Sequence, residues 1–261
     1  MRVPFPSTNP EEGGSVQEKA GAAAYEAAFA DVEKFAADDG PPYIKPYSPE
    51  WWSARRGKIT ASKRLHTVLY GTLAAKNKML DELDAELADG FTWPAEAQGA
   101  ALSWGKDHET QARNLIEMMY DVKTYEPGFL CHPEVPILAA TPDYGISTDG
   151  GKTTEITGEI KAPYLQKNHT VLYLQGLKSN RKYETQVQGQ ILVTGAHEGW
   201  FSSFDPRAPH PLRLSREIIQ PDEKLHTQML EGCVKIASML KSDSRFGRGK
   251  VTTPSGVRRC F

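Results

Sequence analysis

At 261 residues with 39% hydrophobic side chains, the chain can bury one substantial core and requires no second catalytic domain. No apolar run is long enough to span a membrane, and the first residues lack the charged-then-apolar order of a secretory signal, so the cytoplasm is the expected compartment. With 31 basic and 33 acidic side chains the formal net charge is −2, which excludes strong whole-molecule attraction to a polyanion; any such contact must be concentrated on one surface.

The first forty residues hold eight acidic side chains against three basic ones. Tyr25, Phe29, Val32 and Ala36 fall at helical spacing before the breaker Gly40-Pro41-Pro42, which predicts an acidic helical extension over 1–44. Ser48-Pro49 opens a helix with Ser as cap and Pro in the first turn, and Gly57 closes it. A second helix is expected over Ala61–Leu69, with Ser62 at its start and Arg55, Arg56, Lys58, Lys63 and Arg64 nearby. Helix amides, a hydroxyl and guanidinium groups suit a phosphate, although a capped helix on a basic surface accounts for the same residues. A surface helix follows over Thr72–Asp89. From about Lys106 to Tyr120, the stripe Ala112, Ile116 and Met119 extends back to Glu109, a carboxylate that needs a partner if it faces the core.

Val135–Ala140 reads as a short strand that gives way to Thr141-Pro142-Asp143. In a strand over Ile156–Ala162, the period of two places Glu155, Thr157, Glu159 and Lys161 on one face and Ile156, Gly158, Ile160 and Ala162 on the other. Gln186 and Gln190 lie one helical turn apart, which a polar outer face would also explain. Pro221–Leu240 predicts a helix whose Leu225, Met229, Ile236 and Leu240 face inward. The stretch Lys241–Phe261 has six basic residues and one acidic, so the chain divides into the extension 1–44, a central domain 45–243 and a basic tail 244–261. Cys131, Cys233 and Cys260 are odd in number and widely spaced, which argues for reduced structural thiols against a disulfide framework, a zinc knuckle or an iron–sulfur cluster. The histidines are scattered without zinc-ligand spacing, and no G-x-S-x-G elbow anchors a serine triad.

Asp143, Glu159 and Lys161, with Glu109 upstream, form a metal-dependent nuclease pattern: carboxylates hold divalent cations while an ammonium orients water and offsets charge developing in phosphodiester attack. Taken alone, an ordinary ion pair explains Glu159 and Lys161, and Pro-Asp is a common turn opening.

Five ordered blocks carry more. Trp51-Trp52-Ser53-Ala54-Arg55-Arg56-Gly57-Lys58-Ile59-Thr60-Ala61-Ser62 is followed by Leu102-Ser103-Trp104-Gly105-Lys106 leading to Glu109 and Ala112-Arg113. Thr141-Pro142-Asp143-Tyr144-Gly145, Gly158-Glu159-Ile160-Lys161-Ala162-Pro163 and Tyr183-Glu184-Thr185-Gln186-Val187-Gln188 come next, then Asp205-Pro206-Arg207. Together, from about Pro49 to Arg207, they resemble the phage lambda exonuclease and YqaJ-type viral recombinase family. The resemblance implies a restriction-endonuclease-like PD-(D/E)xK α/β core, with a mixed central sheet flanked by helices. It further implies a Mg²⁺-dependent 5′-to-3′ exonuclease on linear double-stranded DNA that prefers 5′-phosphorylated ends, releases mononucleotides and leaves a 3′ single strand for phage-type annealing recombination. Two Mg²⁺ ions are implied, with Mn²⁺ as a substitute. By the same resemblance Asp143, Glu159 and the carbonyl of Ile160 hold one cation, Glu109 assists a second and Lys161 positions or activates the water. Arg55, Ser62, Thr141 and Gln186 bind the 5′-phosphate, and Leu102 is an apolar wedge at the terminal base pair, for which core burial is the other explanation. The implied partners are DNA ends, a single-strand annealing protein and two further copies in a homotrimeric ring, in the cytoplasm of a bacterium or phage-infected host. The short members of the family begin close to the tryptophan block, so the N-terminal extension inherits no role. A different nuclease of the same fold, cutting internally or in repair, and a non-catalytic DNA-end-binding module are the alternatives.

Overall fold

Beyond Tyr43, the chain alternates short strands with capped helices. The fold is that of a computed structural model, which describes residues 43–88, 91, 93 and 99–240. The expected extension over 1–44 and the tail over 244–261 thus fall almost wholly or wholly outside the described residues.

In chain order come α1 (Pro49–Ala54), β1 (Ile59–Thr60), α2 (Arg64–Tyr70), α3 (Leu73–Leu87), α4 (Ala100–Tyr120), β2 (Thr124–Tyr125), β3 (Leu130–Cys131), β4 (Leu138–Ala140), β5 (Tyr144–Ile146) and β6 (Ile156–Lys161). They are followed by α5 (Gln166–Gln175), a 3₁₀ turn, α6 (Arg181–Thr194), β7 (Glu198–Phe204), β8 (Leu214–Ile219) and α7 (Glu223–Met239). Side-chain oxygens cap four helices where the sequence supplies them: Ser48 accepts from Trp51 N–H, Thr72 from Ala75, Asn180 from Lys182 and Asp222 from Leu225.

Two mixed sheets result. The smaller has the order β1-β4-β3, with β1 parallel and β3 antiparallel to β4; the larger has the order β2-β5-β6-β7-β8, antiparallel except for the β6–β7 pair. The parallel pair needs a crossover, which α5 and α6 supply. Helix α4 covers one face of the larger sheet, packing Ala112 and Ile116 on Tyr144, Ile160, Trp200, Phe204 and Leu214. Helix α6 lies on its other face, where Val187 and Ile191 meet Phe201. A separate cluster joins α2, α3 and α7 to β1 and β4 through Leu65, Leu83, Met229, Cys233, Ile59 and Leu138. Gly158 makes the larger sheet possible as built, because a Cβ there would lie 2.1 Å from the Tyr144 ring.

Several expectations change. Strand β4 starts at Leu138, since Val135 enters a turn in which its carbonyl accepts from Leu138 N–H at 2.9 Å. Helix α4 begins at Ala100, earlier than Lys106, and Met119 is 42% exposed because the last turn points Tyr120, four residues after Ile116, at the apolar cluster and leaves Met119 beside it. Helix α2 begins at Arg64, so Ser62 is exposed, outside the helix and not its cap. Cys233 is a free, buried thiol, its pKa pushed up to about 12 by burial, whereas Cys131 is disulfide-bonded. Disulfides follow proximity in space, which spacing along the chain does not report.

Candidate active site

Strand β6 is the axis of the site. Its ladder runs on both sides, Gly158 opposite Tyr144 and Trp200, Ile160 opposite Ser202, so the strand is central and buried on both faces. Alternation sends Gly158 and Ile160 toward α4 and sends Thr157, Glu159 and Lys161 toward α6. The result is a carboxylate that is 1% exposed. Such a group must be paired or strongly hydrogen-bonded. Lys161 Nζ donates to Glu159 Oε1, Gln186 Nε2 donates to the same oxygen at 2.7 Å, and Gln190 Nε2 donates to Oε2 at 2.5 Å. The two glutamines therefore face inward from α6, and the polar outer face that their spacing also allowed is not where they lie.

Asp143 reaches the same place by a different route. Thr141-Pro142-Asp143 carries the chain from β4 of the smaller sheet to β5 of the larger one. Asp143 N–H donates to the Gly158 carbonyl at 3.0 Å, and Asp143 Oδ2 accepts from Ile160 N–H at 2.6 Å, which fixes the carboxylate beside Glu159. Glu109 projects from α4, half-buried. Four residues on, Arg113 is buried and pairs with Glu126 at 3.0 Å.

Charge in this cluster is strongly perturbed. Burial, then Glu159 and Glu109, push Asp143 well above the usual carboxylate range. Burial also raises Glu109; Arg113 opposes the shift, while Glu159 and Glu126 add to it. Burial works against a charge on Lys161, but Glu159 and Asp143 outweigh it and hold the group as an ammonium, above its ordinary pKa. Among the described residues no three His, Cys, Asp or Glu side chains are gathered around one point. The acids nonetheless act on one another's charge, so we read them as neighbours whose side chains are turned onto protein donors: Glu159 onto lysine and glutamine, Asp143 onto a backbone amide. Acids that resist ionising together, offering only oxygen donors, fit a hard divalent cation, which relieves their repulsion.

The residues expected at a terminal phosphate are distributed unevenly. Ser62 and Thr141 each lie two residues beyond the paired positions Thr60 and Ala139 of the parallel strands β1 and β4, so both emerge at the same sheet end. Trp51, 6% exposed, joins Arg55 and Thr141: its indole Nε1 donates to Thr141 Oγ1 at 3.1 Å, and the Arg55 guanidinium lies 4.1 Å from its ring centroid. Burial, with Arg64 close by, lowers Arg55 to about 10, which leaves it cationic at neutral pH. Gln186 is with Glu159, apart from this trio in its contacts. Leu102 sits in the first turn of α4 and is 44% exposed, which rules out core burial.

Two contributors carry no signal in the sequence that marks them as site residues. Trp51 precedes Arg55 by one helical turn, a spacing that permits stacking, yet nothing local points to Thr141 ninety residues on. Arg207 grips the fully buried Asp205 through two nitrogens, at 2.8 and 2.9 Å, and donates to the Tyr164 carbonyl at 3.0 Å. Its guanidinium also lies 4.3 Å from the Trp104 ring centroid. It thereby ties the segment after Lys161 to α4, which carries Glu109.

The sequence model of the YqaJ-like viral recombinase domain matches residues 50–197, more than half of the chain and all of the elements just described up to β7. The chain belongs to this family. Among solved structures it is similar to an alkaline exonuclease, LHK-Exo, from Laribacter hongkongensis, with 26% identity, a TM-score of 0.65 and coverage of 74% of this chain and 92% of that one. The same values hold for LHK-Exo in complex with dAMP. A phage-related exonuclease from Haemophilus somnus 129PT, 15% identical over 76% of this chain and 94% of its own, has a TM-score of 0.51 and shares the fold. No curated protein matches the chain in sequence. The family and these neighbours make the mixed α/β core a PD-(D/E)xK nuclease fold and the chain a nuclease of the YqaJ-like family. Among the described residues, no helix is long and apolar enough to cross a membrane.

Proposed function

We propose that the protein is a Mg²⁺-dependent exonuclease that degrades linear double-stranded DNA from 5′-phosphorylated ends, leaving a 3′ single strand for annealing recombination. The observation that carries this reading is the buried Glu159 carboxylate, set beside Asp143 and an ammonium in a chain of this nuclease family. Asp143, Glu159, the Ile160 carbonyl and Glu109 would hold divalent cations, Mg²⁺ or Mn²⁺, which stabilise the attacking and leaving oxygens of an in-line displacement. Lys161, held cationic, orients the attacking water and offsets developing negative charge; its raised pKa favours this role over that of a base. Arg55 supplies a charge-assisted donor to the terminal phosphate, Ser62 and Thr141 supply hydroxyls at the same sheet end, and Gln186 an amide. The exposed Leu102 would part the terminal base pair. The relative that binds dAMP supports release of mononucleotides.

Linear duplex labelled at either end, with and without Mg²⁺ and with a 5′-phosphate or 5′-hydroxyl, tests polarity, metal need and end preference together. Loss of the 5′ label first, only with Mg²⁺ and faster from a phosphorylated end, is the expected result. Digestion of a closed circle would point instead to an internally cutting nuclease of the same fold. Because the net charge is −2, retention on DNA has to come from elsewhere than global attraction, and we extend the proposal to a homotrimeric ring that encloses duplex and hands the 3′ strand to a single-strand annealing protein in the cytoplasm. A monomeric solution mass, with digestion that stops at once on adding excess unlabelled duplex, would refute the ring. The nuclease domain is assigned to 45–243, with 1–44 and 244–261 as appendages.

A further inference from the structure

Gln186 and Gln190 are chemically identical, lie one turn apart on α6 and donate to the two oxygens of one carboxylate. Their surroundings differ. Gln186 is half-buried, whereas Gln190 is 1% exposed and sealed under the helix. The Gln190 amide has only one acceptable orientation, because turning it over would press Oε1 against the carboxylate; its nitrogen faces Glu159 and its buried oxygen is left without a hydrogen-bond partner. A fold that accepts an unpaired buried oxygen to keep this donor in place is using the donor. Gln188, between them, turns the opposite way and tethers α7, donating to the Gln220 carbonyl at 2.8 Å and accepting from Asp222 N–H at 3.1 Å. That tether fixes α6 against its neighbours, and with it the reach of Gln190.

We propose that Gln190 is a positioning residue that fixes the Glu159 carboxylate for a divalent cation, while the half-exposed Gln186 is the one that can exchange Glu159 for a DNA phosphate. The inference rests on the metal-site reading above. A carboxylate with two oxygens has about four acceptor directions. Lys161 and Gln186 occupy Oε1 and Gln190 occupies one direction of Oε2, so Gln190 alone sets how Oε2 is presented once Gln186 is drawn away. Outer donors of this kind are worth about 10–100-fold in metal affinity.

Calorimetric titration of the full chain with Mn²⁺, without DNA, tests this alongside the melting temperature of each metal-free variant. Gln190→Met, close in volume and lacking the amide, and Gln190→Ala, which also leaves a cavity, should both bind Mn²⁺ about 10–100-fold more weakly and to a similar degree, although the Ala variant melts lower. Gln186→Met should change Mn²⁺ affinity less than about threefold, since water can reach its place. Unchanged affinity in Gln190→Met, a loss that merely follows melting temperature, or an equal loss in Gln186→Met would overturn the inference. If the unaltered protein takes up no Mn²⁺, or Asp143→Asn binds it as well as the unaltered protein, the metal-site reading itself fails and this inference with it.

Discussion

The two faces of β6 obey opposite rules. Toward α4 the strand presents Gly158 and Ile160 to Tyr144, Ile116 and Trp200, an apolar seam in which shape decides what is tolerated. Toward α6 it presents Glu159 and Lys161, equally sealed from solvent at the carboxylate, where charge and hydrogen bonding decide. Six residues thus carry both a structural and a chemical surface. The strand alternation that separates them lets one face hold mutually repelling acids because the other anchors the sheet.

The largest expected effect lies on the charged face. Asp143→Asn keeps an acceptor for Ile160 N–H but removes a carboxylate that is hard to ionise, so activity on linear duplex should fall by about a thousandfold or more while urea unfolding shows equal or greater stability. Near-normal turnover by that variant would end the assignment. Glu159→Ala should lose activity as fully, yet also lose about 1–3 kcal/mol of stability, because Lys161 and both glutamines are left without their acceptor. Lys161→Ala should also be severely impaired, with Mn²⁺ binding retained.

The apolar face should break in the reverse sense. In Gly158→Ala the new Cβ would lie 2.1 Å from the Tyr144 ring, so the ring or the strand must shift, at a cost of about 1–3 kcal/mol or more in urea unfolding. Activity per folded molecule should suffer far less than in Asp143→Asn; an equal loss would mean that the two faces are not separable.

A smaller effect sharpens the comparison by dividing the polar residues themselves. Arg55→Ala should leave hydrolysis of 5′-hydroxyl duplex nearly intact and shrink the advantage of 5′-phosphorylated duplex by about tenfold, the value of one charge-assisted contact. An unchanged ratio of rates on the two substrates would make Arg55 a general basic residue.

A prediction apart from activity concerns a buried polar group with no proposed part in the chemistry. His132 is 1% exposed, and its Nδ1 accepts from Val135 N–H at 3.1 Å and Glu134 N–H at 3.3 Å. Burial, with His226 nearby, lowers its pKa to about 4. The folded value is below the unfolded value of about 6.5, so the stabilisation is present above pH 6.5 and is lost as the pH falls toward 4, by about 2–3 kcal/mol in all. His132→Asn, which retains an acceptor and cannot titrate, should flatten the melting-temperature profile between pH 6.5 and 5. An undiminished slope would place the acid sensitivity elsewhere, with His226, also lowered by burial, the next group to test.

Much of the site could be read along the chain. Pro142-Asp143 and Glu159-x-Lys161 announce themselves because strand alternation and a strand-ending turn are local, and the same locality makes the helix starts at Ser48 and Thr72 legible. Local signals mislead where a residue's fate is set across the fold. The capping chemistry of Ser62 predicts a helix start there, but the chain is still leaving β1 and the helix begins at Arg64. Met119 continues the α4 stripe in sequence, yet it is Tyr120 that packs on the cluster and Met119 that is left exposed.

The family, the order of the acidic blocks and the sidedness of β6 are written in the amino-acid order, since periodicity, capping and motif spacing act over a few residues. It takes the folded chain to show that Gln186 and Gln190 close on Glu159, that Trp51 holds Thr141 while carrying Arg55, that Arg207 ties α4 to the segment after Lys161, and that Leu102 stands exposed. Apart from the Trp51–Arg55 stack within one helical turn, those contacts join residues separated by tens of positions, and they exist because two sheets meet at Thr141–Asp143 and two helices are pressed against opposite faces of one strand. Packing of that kind has no local signature, because each side chain's partner is chosen by the shape of the whole core.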